Sequence, residues 1–318
     1  MFYYNKKVAI SYLVYQNTST AATAGSLPDD PVSDALKQTL MITIDQSKCN
    51  LCGWCVEICH EYCIDIHDNV LKINYDYCST CTQCIAVCPK EALSWENIQP
   101  GRYNREMTPD SQQIDELLKE RRTIRDFKEK KIDRNLLEEI VNYAVYAPTH
   151  SFDMRAIIID REEAIQEIDR MIYSSSLKIY KYLYKPRIAY PFIRSIAPGR
   201  KHEYLKAKPK LEAARKRGRN FKTIPPAIIM IVADRRVPLS LESAQYALYS
   251  INLYAHTKDL GCRNMVGNQM FLNRNRSIRK LIGLKKYERI YGTMAIGYPA
   301  IKFRSKVEGK QFKMQWIS

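Results

Sequence analysis

The chain has 318 residues, 46% of them hydrophobic, which exceeds the usual size of one domain and provides enough apolar material for more than one packed core. No run approaches the roughly 20 consecutive apolar residues that a membrane span needs, so the sequence predicts a soluble protein. The net charge of +16 is concentrated in residues 170–222, which hold 16 Lys or Arg residues against two acids, and the rest of the chain is nearly neutral.

Residues 1–40 form an N-terminal extension before the first motif. Lys6 and Lys7 precede a short apolar stretch and the small residues AATAG, an order that faintly resembles a signal peptide. The apolar stretch is interrupted by Ser11 and two tyrosines, which favours an N-terminal strand or arm followed by a polar linker. Export is kept as the alternative.

Eight cysteines between positions 49 and 88 follow one spacing rule, in which two runs with x2, x2 and x3 gaps stand 29 residues apart. A cubic iron–sulfur cluster needs one thiolate for each iron, and this spacing supplies them. A structural zinc ion is usually held by two separated pairs, and disulfides between cysteines this close would be strained. The spacing therefore indicates iron–sulfur chemistry, with zinc as a minor alternative.

The two runs resemble those of bacterial-type ferredoxins with two 4Fe-4S clusters, in which the fourth cysteine of each run serves the other cluster. The resemblance implies two ligand sets, the first being Cys49, Cys52, Cys55 and Cys88, and the second Cys78, Cys81, Cys84 and Cys59. The second run ends in the usual Cys88-Pro89, whereas the first ends in Cys59-His60. Cys63 has no ligand role in the pattern and is interpreted as a packing residue. Residues 41–96 are assigned to this domain, with strand, cluster loop, short helix and strand in each half.

Residues 97–109 are predicted to form a linker marked by Pro100-Gly101, after which long helices begin. The first helix is predicted to start at Thr108-Pro109-Asp110, with Thr108 as its cap. The second is predicted from Arg134 to Ala147, with Asp133 as its cap, and a strand is predicted at residues 155–160.

Between these helices, the sequence RRTIRDF at residues 121–127 resembles the RRSxRxF motif of the nitroreductase family of FMN-dependent oxidoreductases. Guanidinium and hydroxyl groups just past a helix can hold a phosphate dianion by charge-assisted hydrogen bonds. The resemblance implies that Arg121, Thr123 and Arg125 bind the FMN phosphate and nearby ribityl oxygens. Taken alone, a basic helix end also fits compensation of the helix dipole or a solvated face.

The turn after the second helix resembles the turn that lies beside the flavin in that family. The resemblance implies cofactor contacts for Pro148, Thr149, His150 and Ser151. Ser151 and Asp153 stand where ferredoxin-fused members carry amides, and an Asp facing the flavin would disfavour an anionic reduced ring. Either the flavin potential falls, or Asp153 points elsewhere, or the cofactor sits differently. His150 could supply a proton to the substrate, although backbone hydrogen bonding is the favoured role.

The basic segment at about 170–222 is predicted to contain two helices, one around residues 177–184 and one at residues 203–216, with prolines between them. In nitroreductase-like proteins this position carries a variable helical insertion that covers the flavin. We therefore expect a cap that attracts an anionic substrate or an acidic partner. A solvated face is the first alternative, and nucleic acid or a membrane surface is disfavoured.

The core of the second domain then resumes with a buried strand at residues 224–234 and a long helix from Ser240 to Leu260, ended by Gly261. The strand and turn at residues 262–267 are expected to approach the flavin, where the missing side chain of Gly267 would permit close contact. Cys262 is interpreted as a packing residue.

A helix at residues 275–281, ended by Gly283, and a strand at residues 290–296 precede Gly297-Tyr298-Pro299, a further landmark of the nitroreductase family. In that family a basic residue shortly after this landmark completes the phosphate site. Arg304 and Lys306 are the main candidates here, with Lys310 as a third. Residues 314–317 resemble the terminal strand of ferredoxin-fused members.

Together the resemblances imply an α+β protein, with the ferredoxin-like domain followed at residues 110–318 by a nitroreductase-like FMN domain whose central sheet is flanked by helices. They also imply a cytoplasmic homodimer with the flavin at the subunit interface. The implied enzyme passes electrons from two 4Fe-4S clusters to FMN and reduces an electron-poor small molecule, such as a nitro compound or a quinone.

Two alternatives remain open on the sequence alone. One is a flavin reductase that acts on an activated double bond or a halogenated ring. The other is a non-catalytic electron-transfer or redox-sensing module whose basic segment binds an acidic partner or nucleic acid. The electron donor, NAD(P)H or another redox protein, is also left open.

Overall fold

The computed structural model describes residues 42–95, 100–149, 154–184, 201–309 and 311–317. The chain divides into two compact units, Met1–Gly101 and Arg102–Ser318, and the boundary falls inside the stretch predicted as a linker. The N-terminal extension lies outside the described residues. Within the described residues, no helix is long and apolar enough to cross a membrane.

The first unit repeats one pattern twice. Its elements are β1 (Ile42–Ile44), α1 (Trp54–Ile58), β2 (Ile64–His67), β3 (Val70–Ile73), α2 (Gln83–Val87) and β4 (Leu93–Trp95). β1 pairs antiparallel with β4, and β2 pairs antiparallel with β3. Each half of the unit therefore gives one strand to each two-stranded ladder.

The two cysteine loops have the same backbone conformation at positions 29 residues apart, which is also the distance between the two cysteine runs. Left-handed φ angles occur at Leu51 and Thr80, with values of 56° and 53°, and again at Gly53 and Thr82, with values of 80° and 61°. Side chains disfavour this conformation, so its recurrence at equivalent non-glycine positions marks loops whose path is fixed by their surroundings. The predicted twofold repeat is present in the backbone itself.

The second unit is a four-stranded sheet with helices on both faces. Its elements are α3 (Ser111–Glu120), α4 (Arg134–Asn142), β5 (Met154–Ile159), α5 (Glu162–Ile179), α6 (Lys201–Arg217), β6 (Ala227–Asp234), α7 (Ser240–Thr257), β7 (Gly261–Asn264), α8 (Val266–Arg274), α9 (Arg276–Leu281) and β8 (Glu288–Gly297). The strand order is β5-β6-β8-β7, and every pair is antiparallel.

β6 separates two hydrophobic cores because successive side chains of a strand point to opposite faces. Ile228 and Met230 join the core that contains residues of α5, α8 and α9. Ile229 and Ile231 join the other core, which contains residues of α4 and α7. The continuous apolar run that predicted a buried strand therefore covers both faces, and the α+β class is confirmed.

Two helix ends in the first half of this unit differ from the prediction. The cap of α3 is Asp110, not Thr108, because the Asp110 carboxylate accepts the Gln113 amide at 2.8 Å while the Gln113 side chain accepts the Asp110 amide at 3.0 Å. This reciprocal box satisfies two free backbone donors at once, which Thr108 cannot match. The Asp133 cap of α4 is present, but α4 ends at Asn142 and a 3₁₀ turn follows at Tyr143–Tyr146.

The predicted backbone positions of two glycines are also wrong. α7 ends at Thr257, and Asp259, with φ 57°, takes the left-handed position expected for Gly261. Gly261 instead begins β7, where a Cβ atom would lie 2.1 Å from Ile124 Cγ1. Gly267 lies in the first turn of α8 rather than in a turn after a strand.

Two further elements depart from the prediction. The helix expected around residues 177–184 is the end of α5, continued by a π-helical turn at Tyr180–Tyr184. α6 is present, with Pro209 inside it. Residues 311–317 form no strand within the chain, although a terminal strand was expected at residues 314–317.

Candidate functional site

A cavity in the first unit is lined by four of the eight patterned cysteines, Cys49, Cys52, Cys55 and Cys88. Three of them come from the first run, and Cys88 comes from the second. Leu71 and Leu93 form part of the apolar wall. The structure therefore brings together the set that the ferredoxin resemblance assigned to one cluster.

Two thiols of the second set, Cys59 and Cys78, lie near Cys63. The Cys59 and Cys63 sulfur atoms are 3.4 Å apart. Burial, with a smaller effect of the neighbouring thiols Cys59 and Cys78, raises the pKa of Cys63 to about 12. Burial, with a smaller effect of Cys78 and Cys81, likewise raises the pKa of Cys84 to about 12. Crowded, buried thiols of this kind are difficult to ionise alone and are readily ionised by bound metal, so their chemistry fits a cluster.

Backbone amides also point at these sulfur atoms. The Thr80 amide donates to the Cys78 sulfur at 3.4 Å, and the Ala92 amide donates to the Cys88 sulfur at 3.3 Å. Hydrogen bonds to cluster sulfurs favour the more negative state and so tune the reduction potential. Within the described residues, no three His, Cys, Asp or Glu side chains surround one point as the ligands of a single metal ion do.

In the second unit, residues 121–128 run along the edge of the sheet. The Ile124 amide donates to the Cys262 carbonyl at 3.0 Å, and Thr123 forms a parallel bridge with Cys262. Farther along, the Ala300 amide donates to the Asp126 carbonyl at 3.0 Å. This strand-like path places the predicted phosphate-binding motif beside β7.

The motif contains cationic groups with few partners. The Arg121 Nε atom is buried and has no hydrogen-bond partner within the described residues. Arg125 makes only a long contact, 3.5 Å, with the Thr123 carbonyl. The nearby carboxylate of Asp126 uses one oxygen to bind Lys222 at 2.8 Å, and its other oxygen is buried and unpaired. A buried, unpaired guanidinium atom is costly, and an anion bound there would remove that cost.

Two arginines that the sequence motif did not include join this group. Burial lowers the pKa of Arg263 on β7, and the positive charges of Arg125 and Arg217 lower it further. Arg217, at the end of α6, donates to the Asn220 carbonyl at 3.2 Å. Arg263 could have been found from the sequence, because it lies on a strand that was expected to approach the flavin. Arg217 could not, because its proximity to Arg263 depends on how the helical insertion packs.

The remaining predicted residues are placed as follows. Lys306 binds Glu116 at 2.6 Å and Glu308 at 3.5 Å, so its charge is already paired, and Arg304 is exposed. Pro148 and Thr149 follow the 3₁₀ turn after α4. His150, Ser151, Asp153 and Lys310 lie outside the described residues.

Cys262 is the one thiol of the second unit, and it is buried at 2% exposure. Burial raises its pKa to about 12, with only partial opposition from Arg121. The neutral thiol is therefore the stable form near neutral pH, which agrees with a packing role.

The pattern of the nitroreductase family matches residues 118–298, more than half of the chain. The pattern of the 4Fe-4S binding domain matches residues 71–94, which contain the second cysteine run.

Two curated relatives match short segments, and both are pyruvate synthase subunit PorD. The protein of Methanothermobacter marburgensis is 40% identical over 53 residues, which are 17% of this chain and 62% of that protein. The protein of Thermotoga maritima is 37% identical over 51 residues, which are 16% of this chain and 52% of that protein. The chain thus spans between half and two thirds of the length of these relatives.

Two solved structures are similar to a little under two thirds of this chain. A nitroreductase with bound FMN from Bacteroides fragilis is 15% identical and matches 63% of this chain and 97% of that chain, with a TM-score of 0.46. An oxidised iodotyrosine deiodinase bound to FMN and 3-iodo-L-tyrosine is 20% identical and matches 64% of this chain and 99% of that chain, with a TM-score of 0.46.

Proposed function

The chain belongs to the nitroreductase family and also carries a 4Fe-4S binding domain, and from this premise we propose that it is an FMN-dependent oxidoreductase supplied by two 4Fe-4S clusters. Its substrate is an electron-poor organic molecule of the nitro or quinone type. Reduced clusters are best kept in a reducing compartment, which favours the cytoplasm.

The observation that carries the flavin assignment is the buried Nε atom of Arg121, which has no hydrogen-bond partner in the described part of the chain. A phosphate dianion provides several acceptor oxygens for the fork-shaped guanidinium groups, and the Thr123 hydroxyl is available for another. The bond from the Ile124 amide to the Cys262 carbonyl fixes this segment, so the donors are held in place before the ligand arrives. The residues present therefore fit the phosphate end of FMN.

The cluster assignment is supported by the cavity that Cys49, Cys52, Cys55 and Cys88 line together. By the same pattern, Cys78, Cys81, Cys84 and Cys59 hold the second cluster. The loops that carry these residues have recurring left-handed residues, which keep the thiols in a fixed arrangement. When bound, the clusters supply electrons singly and the flavin accumulates two for delivery to the acceptor.

The exposed cations of α6 favour an acceptor that is negatively charged. Residues 205–222 carry eight Lys or Arg residues against one acid, Glu212, and all eight are exposed. A surface of one sign raises the local concentration of oppositely charged small molecules and their association rate. We infer that anionic nitroaromatic or quinone compounds are reduced faster than neutral ones of equal potential, and that the difference shrinks at high salt.

The test is anaerobic purification followed by iron, sulfide and flavin assays and an absorption spectrum. About eight irons and one FMN per chain are expected. Protein reduced chemically should then be reoxidised by a nitroaromatic or quinone, and an Arg121→Gln variant should keep its iron but lose FMN and this activity. Iron without flavin would reject the enzyme in favour of an electron-transfer module, and zinc in place of iron would reject the clusters.

A further inference from the structure

Arg263 occupies an unusual position for a charged residue. It is half-buried on β7, a strand that pairs with β8 on one side, where Arg263 lies opposite Ala295. On the other side, the preceding residue Cys262 is bridged to Thr123 of the predicted phosphate motif. Arg263 is therefore fixed one residue from the point at which the motif joins the sheet.

The side chain of Arg263 has no hydrogen bond or ion pair within the part of the chain that the structure describes. The charges that act on it are two arginines, Arg125 and Arg217, and one carboxylate, Asp126. That carboxylate is already bound to Lys222 at 2.8 Å. A half-buried guanidinium among like charges destabilises the fold, and a ligand that supplies negative charge would remove this cost.

The residues expected to complete the phosphate site after Gly297-Tyr298-Pro299 are both exposed, unlike Arg263. Lys306 is also bound by Glu116 at 2.6 Å, a carboxylate on α3. Arg263, by contrast, is half-buried on β7 and lies close enough to Arg125 to feel its charge.

We propose that Arg263 is a further ligand of the flavin phosphate and that it takes the role expected of Arg304 or Lys306. This inference rests on the proposed function, because it assumes that FMN is the flavin bound. Arg263 contacts the phosphate from the sheet side, while Arg121 and Arg125 contact it from the segment that follows α3. Riboflavin, which is FMN without the phosphate, should not engage Arg263.

The experiment compares the dissociation constants of FMN and riboflavin, measured by quenching of flavin fluorescence, for flavin-free protein that retains its clusters. Arg263→Gln should weaken FMN binding about tenfold or more, the effect expected when a charge-assisted hydrogen bond is lost. Its affinity for riboflavin should be unchanged. Arg263→Lys should bind FMN with an affinity between those of the wild type and Arg263→Gln, because an ammonium keeps the charge but not the bidentate geometry.

Arg289→Gln is the matched control. Arg289 is an exposed residue of β8, and its replacement removes the same positive charge from the protein. It should bind both flavins as the wild type does. Unchanged FMN affinity in Arg263→Gln would overturn the inference, and so would an equal loss of FMN and riboflavin, which indicates damage to the fold. A wild-type protein that binds neither flavin would instead overturn the proposed function.

Discussion

Gly261 connects a single missing side chain to the proposed phosphate site. A Cβ atom at this position would lie 2.1 Å from Cγ1 and 2.7 Å from Cβ of Ile124, and both atoms belong to a buried residue. The position of the Ile124 Cβ atom is fixed by the backbone, so relieving this contact would shift the backbone between Arg121 and Arg125. We expect Gly261→Ala to lower the free energy of unfolding by about 1–3 kcal/mol, the usual cost of overpacking, and to weaken FMN binding.

Gly267→Ala is the comparison for this prediction, because nothing lies within 4 Å of the Cβ that it would add. Gly267 is helical, so Ala should leave stability unchanged or raise it by up to about 1 kcal/mol. Urea unfolding of both variants measures the change in stability, and FMN titration measures the change in flavin affinity. Equal stability of the two variants would show that Ile124 yields easily and that Gly261 is not needed for packing.

At the level of elements, one ion pair joins the two strands that flank β6. Arg155 on β5 donates to both carboxylate oxygens of Glu288 at 2.8 Å, where β8 begins. The Lys285 amide also donates to this carboxylate at 2.8 Å. The hydrogen bond from Arg155 is the main reason that the pKa of Glu288 lies below its usual value of 4.5. The pair therefore stabilises the fold above that pH.

We expect Glu288→Gln to lower the free energy of unfolding by about 1–2 kcal/mol. This is less than a fully buried ion pair would contribute, because Arg155 is 42% exposed and solvent screens the interaction. The lowered pKa means that this stabilisation is fully present above pH 4.5 and is lost only as the pH falls through the folded pKa. The difference from the wild type should therefore stay constant between about pH 5.5 and 8 when urea unfolding is followed by circular dichroism.

Asp160→Asn provides the matched control, since it breaks another bidentate Arg–carboxylate pair, with Arg134 at 79% exposure. Exposed pairs contribute little, so a change of at most about 0.5 kcal/mol is expected. An equal loss of unfolding free energy in the two variants would show that the ion pair between β5 and β8 stabilises the fold no more than an exposed pair does.

Local signals in the sequence predicted most helices and strands. The features that the sequence did not predict depend on contacts between residues far apart in the chain. The apolar run of β6 and the Asp133 cap could be read directly because both depend on neighbouring residues. The role of Gly261 could not, because it depends on Ile124, which lies far away in the chain. For the same reason, the motif could not point to Arg263, which comes near Arg125 only because Thr123 pairs with β7.

At the scale of the whole molecule, residues 311–317 expose several large apolar side chains. Phe312, Met314 and Trp316 are 92%, 77% and 90% exposed, and they alternate with Gln311, Lys313 and Gln315. Ile317, at 93%, is the exposed apolar residue that falls outside this alternation. Alternation with a period of two places the apolar side chains on one face of an extended strand. An exposed apolar face of this kind is typical of an interaction site. We propose that it packs on a second copy of the chain, as the family resemblance implies.

Changing the apolar face should therefore change the assembly and the flavin together. Phe312→Ser with Trp316→Ser should convert a dimer into a monomer, as measured by light scattering after gel filtration. Gln311→Ser with Gln315→Ser, which alters the opposite face, should leave the dimer intact. Because the resemblance places FMN at the subunit interface and the cysteines belong to the first unit, the monomer should lose FMN but keep its iron. A monomeric wild type, or equal effects of the two pairs, would contradict the role of this face.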